Sequence, residues 1–153
     1  MDIGAIVDEC VDPADLERAS KTYQDQARRG LPSALAAFTY AHCLIRSNQE
    51  DVKTGILILE GLLKRQTEDI PKRDYVYYLA IAHTRIKEYD RALSYVDLLI
   101  SAESHNRQAA DLKNLIQSRM QKDGFLGLAI LGLGGGAAII AVGLAATLLT
   151  RRR

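Results

Sequence analysis

The sequence predicts an all-α protein: a helical cytosolic domain over residues 1–123, one transmembrane helix over 124–150, and a basic end at 151–153. Three observations predict it. Apolar residues between 34 and 63, and again between 112 and 120, recur at helical spacing, while no run alternates with the period of two that a half-buried strand needs. Proline, glycine and asparagine divide residues 1–123 into helix-length pieces. Every acidic residue lies at or before Asp123, and beyond it only Arg151, Arg152 and Arg153 are charged.

The elements follow in order. Asp12 before Pro13 reads as an N-cap followed by proline in the first turn, where its missing N–H would have had no helical acceptor. Asp15 adds negative charge at the positive end of the helix dipole. Gly30 closes this helix, and Leu31-Pro32-Ser33 opens the next. Ala34, Ala37, Phe38, Ala41, Leu44 and Ile45 form the stripe of that second helix. Asn48 to Asp51 reads as a turn, after which Val52, Ile56, Leu59, Leu62 and Leu63 continue the pattern. A polar stretch then runs to Pro71. Leu112, Leu115, Ile116 and Met120 mark a last amphipathic helix behind an Asn106 cap.

From Gly124 to Thr150 no residue is charged. As a helix this stretch would reach ~40 Å, enough to cross a hydrocarbon core of ~30 Å with some tilt. A soluble protein burying such a helix on every side would have to be larger than this chain. With three residues after it, the span is expected to enter its membrane as a tail anchor. No basic n-region or apolar core opens the chain, so the N-terminal domain is expected in the cytosol. Arg119 and Lys122 before the span and Arg151, Arg152 and Arg153 after it form a basic flank. Among tail anchors, that flank directs the expectation to the mitochondrial outer membrane or peroxisome. Gly132 and Gly136 form a GxxxG, a spacing that brings two membrane helices together and would allow a homo-oligomer.

Two stretches of residues 1–123 repeat. Tyr40-Ala41 and Leu44-Ile45-Arg46 align with Leu79-Ala80 and His83-Thr84-Arg85, and the run Gly55–Leu63 aligns with Ala92–Ile100. Paired helices of this size suggest tandem tetratricopeptide (TPR)-like units. Leu79 and Ala80, Tyr89 in the turn, and Ala92 where two helices cross closely fit that pattern in the second unit. His83, where tyrosine is usual, and Ser104, where proline is usual, depart from it. Helices at 3–29 and 107–122 would cap the pair.

The residues Arg73-Asp74-Tyr75-Val76-Tyr77-Tyr78-Leu79-Ala80, Arg85, Lys87-Glu88-Tyr89 and Ala92-Leu93 resemble the second repeat of the mitochondrial fission 1 family. Tyr40-Ala41-His42-Cys43-Leu44-Ile45-Arg46-Ser47 is similar to its first repeat, and Lys122-Asp123-Gly124 to its entry into the apolar tail. The resemblance implies a six-helix bundle with a tandem TPR-like core, anchored in the outer mitochondrial membrane and in peroxisomes. It implies an adaptor that recruits a dynamin-related GTPase, or that enzyme's partners, to divide the organelle. It also implies an N-terminal segment able to lie near the concave groove and regulate access to it.

TPR geometry places the first helix of each pair on the concave face. That puts Phe38, His42, Ile45 and Arg46 in the groove from the first repeat, and Tyr77, Ile81, Thr84 and Arg85 from the second. Tyr40, Tyr78 and Leu79 read as core. An apolar floor with two guanidinium forks suits a partner segment carrying an apolar anchor and a carboxylate. A tail-anchored TPR receptor for chaperones or import cargo is the alternative. Its lysines and asparagines at set concave positions are replaced here by Phe38, His42, Tyr77 and Ile81. Other chemistry lacks its residues. Before Gly124, 17 of the 20 Lys and Arg face all 19 Asp and Glu, which gives no basic face for nucleic acid. Cys10 and Cys43 fit no metal or redox spacing, and His42, His83 and His105 share no ligand spacing, so neither a cofactor nor enzymatic activity is expected.

Overall fold

The computed structural model describes residues 2–66 and 70–124. They form α1 (Ile3–Val7), α2 (Pro13–Ala27), α3 (Ala34–Leu44), α4 (Gln49–Lys64), α5 (Lys72–Arg85), α6 (Tyr89–Ala102) and α7 (Arg107–Asp123). No strand occurs among the described residues. The helix starts are chemically marked. Side chains of Asp12, Ser33, Asn48 and Asn106 accept from the backbone N–H of Ala14, Ala36, Asp51 and Ala109, satisfying donors that a first turn leaves orphaned. Asn48 is therefore a cap rather than the start of a longer turn, and α4 begins at Gln49.

The helices stack in two hairpins, α3 on α4 and α5 on α6, joined through α4 and α5. α2 covers the open side of the first hairpin and α7 that of the second. The core runs through the stack, with Ala41, Ile45, Leu59, Val76, Leu79, Ala80, Val96, Leu112 and Ile116 all fully buried. Small residues set the spacing of the hairpins. A Cβ on Gly55 would lie 2.7 Å from Ile45 Cγ2 and 3.2 Å from the Ala41 carbonyl oxygen, so α3 and α4 reach their spacing only with glycine there. Ala92 occupies the matching place on α6 and is fully buried. Gly30, at φ 147°, makes the reversal between α2 and α3 in a region that side chains rarely adopt.

The structure differs from the expected six helices by one. The capping region at 3–29 is two helices, with α1 separate from α2 and packed against α5 and α7. Among the described residues no helix is long and apolar enough to cross a membrane. Of the expected span at 124–150, Gly124 is the left-handed C-cap of α7, and the rest, with Gly132 and Gly136, lies outside the described residues, as do the basic residues Arg151, Arg152 and Arg153.

Candidate functional site

The first helices of the two hairpins, α3 and α5, share one face of the bundle with α7. Four rings from α3 and α5 meet there. Phe38 lies 5.6 Å from Tyr78 and 6.1 Å from His42 between ring centroids, His42 lies 4.8 Å from Tyr78, and Tyr77 lies 5.3 Å from Tyr78. Behind them Phe38 touches the buried Tyr75 at 5.7 Å. Phe38, Tyr77 and Tyr78 line an open cleft of about 520 Å³ with Leu99, rimmed by Arg73, Asp74, Glu103 and Gln108. Arg73 is bound to Glu103 at 3.0 Å, and that bond holds its guanidinium more firmly protonated than usual. Burial pushes the Tyr77 and Tyr78 phenols up, and burial followed by the Arg46 charge pushes His42 down. At neutral pH the floor is therefore uncharged and aromatic under a charged rim. Such a surface binds an apolar anchor and orients it through polar neighbours.

Beside the cleft the same face carries part of the chain's own N-terminal segment. Arg85 donates to the carbonyl oxygens of Val7 at 2.6 Å, Glu9 at 2.8 Å and Ser47 at 3.3 Å. Arg119 on α7 binds the Asp8 carboxylate at 2.8 Å, and Arg46 on α3 faces the Glu9 carboxylate at 3.6 Å. Val11 N–H donates to the Arg46 carbonyl at 3.0 Å, and Val7 is fully buried in the core. Residues 7–11 form a strap across α3, α5 and α7.

Of the residues expected on the groove, Phe38, His42, Arg46, Tyr77 and Arg85 reach this face and are half-buried. Ile45, Ile81 and Thr84 do not. Ile45 closes onto Gly55 inside the first hairpin. Ile81 is core, and the Thr84 hydroxyl is buried and donates to the Ala80 carbonyl at 2.7 Å. The reason is the position of α5, which is packed by α4, α6, α7 and α1 and leaves few side chains to water. Lys122 is exposed on the last turn of α7. Tyr78, read from sequence as core, is half-buried at the centre of the aromatic cluster, and its i, i+1 neighbour Tyr77 was the available signal. The contacts of Val7, Asp8, Glu9 and Arg119 leave no local pattern, because Arg119 and Asp8 stand 111 residues apart; Arg119, expected as part of the basic flank of the anchor, binds the N-terminal segment instead. Among the described residues no group of three or more His, Cys, Asp or Glu is placed to hold a metal ion.

Residues 73–125 match the Fis1 C-terminal tetratricopeptide repeat family. A Caenorhabditis elegans protein, FIS1-related protein fis-2, is 50% identical over 92% of this chain and 93% of its own length. The human mitochondrial fission 1 protein is 42% identical over 92% of this chain and 91% of its own. Among solved structures, yeast Fis1 in complex with an Mdv1 fragment containing its N-terminal extension and coiled-coil domains is 29% identical. It superposes with a TM-score of 0.69 over 77% of this chain and 91% of that one.

Proposed function

The chain belongs to the mitochondrial fission 1 family, and from that premise we propose that it is a membrane-anchored adaptor for organelle division. It recruits a dynamin-related GTPase, or adaptor proteins of that GTPase, to the mitochondrial outer membrane and to peroxisomes. Residues 124–150 anchor it, the domain 1–123 faces the cytosol, and Lys122 with Arg151, Arg152 and Arg153 set the address. Gly132 and Gly136 pair anchors of neighbouring copies into a homo-oligomer. The observation that carries this reading is the uncharged aromatic cleft of Phe38, Tyr77 and Tyr78, with His42 against Tyr78 beside it, open on the face shared by α3, α5 and α7. The yeast relative whose solved complex holds a fragment of Mdv1 supports a protein segment as the kind of ligand. The strap of residues 7–11 lies beside the cleft and gates access to the rest of the face.

Expression of the full chain with a fluorophore joined ahead of Met1 by a flexible linker tests the reading. An outer-mitochondrial rim with fragmented mitochondria is the expected result. Tyr77→Ala should keep the rim and the helical circular dichroism while weakening partner recruitment about fivefold or more, the scale on which an aromatic anchor acts. Reticular localisation with normal mitochondria would overturn the assignment to mitochondrial division.

A further inference from the structure

We propose that the aromatic cleft takes an arginine side chain of the partner, its guanidinium stacked on the rings of Phe38, Tyr77 and Tyr78 and donating to the Asp74 carboxylate. This rests on the adaptor reading for there being a partner, and it adds that partner's chemistry. The charge is opposite to the carboxylate that the guanidinium forks of Arg46 and Arg85 suggest from sequence. Both forks hold the chain's own residues 7–9, and neither lines this cleft.

The cleft offers aromatic rings to a ligand. Tyr78 meets Phe38 at an interplanar angle of 62° and Tyr77 at 74°. No two of these three rings are therefore stacked face on face, and all three line the cavity. A ring face carries the negative part of the quadrupole and attracts a cation within ~6 Å of its centroid. The three side chains are half-buried, so a cation lying on them is partly shielded from water, which strengthens that attraction.

The rim selects a cation over a plain apolar anchor. Among the described residues lining the cleft, two carboxylates, Asp74 and Glu103, face one cation, Arg73. Both oxygens of Glu103 are engaged, Oε1 by Arg73 at 3.0 Å and Oε2 by Asn106 Nδ2 at 3.2 Å. Asp74 is not satisfied in this way. Its carboxylate meets Arg73 Nε at 3.8 Å, too far for a hydrogen bond. It is close enough to Tyr78 to add to burial in pushing that phenol up. The lining thus carries one net negative charge, with free acceptor sites beside the rings. A partner carboxylate would be repelled by Asp74 and would find Arg73 already bound. A guanidinium meets both features at once, because its plane stacks on a ring while its N–H groups donate at the edge. A lysine ammonium brings the charge without the stacking plane.

The test uses the full chain in dodecyl maltoside micelles, which carry no ammonium group. The probe is an end-blocked peptide, Gly-Leu-Arg-Leu-Gly, followed by its own NMR signals. It should bind about tenfold or more tightly than the same peptide with citrulline, which keeps the shape and loses the charge. A glutamate peptide should bind more weakly still. Asp74→Asn should weaken the arginine peptide about fivefold or more, leave the citrulline peptide unchanged and retain helical circular dichroism. Arg73→Gln, which removes the cleft's own cation, should tighten the arginine peptide. Tetramethylammonium, a charge without donors, should displace the peptide about tenfold less well than N-acetyl-arginine amide. Equal binding of arginine and citrulline peptides overturns the inference, and that comparison needs no variant. Absence of arginine binding, tighter glutamate binding, or unchanged affinity in a folded Asp74→Asn chain overturns it as well. Equal displacement by tetramethylammonium also overturns it, and assigns the cleft to a lipid ammonium headgroup. The two readings fail separately. Arginine-selective binding by a chain that leaves organelles unaltered would support the cleft chemistry and remove the adaptor. Partner recruitment untouched by Asp74→Asn would overturn the inference and leave the adaptor.

Discussion

His83 is the residue with the least comfortable surroundings. It is 1% exposed, its ring stacks on Tyr95 at 5.6 Å, and its Nδ1 faces the Glu88 carboxylate at 3.3 Å, while Nε2 has no hydrogen-bond partner. Burial pushes its pKa down, and Glu88 opposes that without reversing it. The folded chain therefore takes up a proton at His83 less readily than the unfolded chain does. Its contribution to stability is complete above the unfolded value of ~6.5 and is lost as pH falls below it. Denaturant midpoints measured at pH 7.5 and 5.5 should fall toward acid in the wild type. That difference should shrink in His83→Phe, which keeps the stack on Tyr95 and cannot titrate. An unchanged difference would assign the acid sensitivity to carboxylates instead. Burial also pushes the facing Tyr95 phenol up to about 12, so it stays neutral throughout this window.

At the scale of the helix, two glycines of α4 separate packing from propensity. Gly55 has no room for a methyl group, as its added Cβ would meet the buried Ile45 and the α3 backbone. Gly61 has nothing within 4 Å. Gly55→Ala should cost about 1–2 kcal/mol, because overpacking at the crossing outweighs the gain in helix propensity. Gly61→Ala should add about 0.5–1 kcal/mol, because propensity acts there alone. Chemical denaturation of both variants reads the pair, and equal shifts of the same sign would show that the crossing can relax. These elements were legible in the sequence because their causes are local. Asp12-Pro13, Ser33, Asn48 and Asn106 cap the helices they precede, and Gly55 and Ala92 stand where the hairpins close. The site was half legible for the same reason. Phe38, His42 and Arg46 follow one another at intervals of four along α3, and the pattern places them on one face. The same interval on α5 passes through Ile81, which is buried because that helix is packed on more sides than spacing alone can tell. The strap's contacts were not legible in local pattern, and only the family resemblance pointed to an N-terminal segment near the groove, since Val7 meets Arg85 only after the whole stack has formed.

At the scale of the molecule, the bundle and the apolar segment meet at the end of α7. The Tyr89 hydroxyl donates to the Asp123 carboxylate at 2.5 Å, and Lys87 approaches the same carboxylate at 3.8 Å. Burial, then that bond, pushes the Tyr89 phenol up to about 12, so the bond persists at any physiological pH. The turn between α5 and α6 thus fastens the last helical residue before the charge-free stretch. Among the described residues the core of the bundle runs from Val7 to Met120. Its buried side chains come from α1, α3, α4, α5, α6 and α7, with Tyr23 of α2 packed against them. Ending the chain after Gly124 retains Asp123 and its bonds, whereas ending it after Lys122 would discard them. The shorter chain, residues 1–124, should therefore remain helical and unfold in one transition close to that of the full chain in detergent. It should also appear in the soluble fraction of cells and lose its organelle rim, because the anchor is gone. Circular dichroism, denaturation and fractionation read the three outcomes. A folded 1–124 that still sediments with membranes would place a second membrane contact within the helical domain. An unfolded one would mean that the stack depends on residues beyond α7.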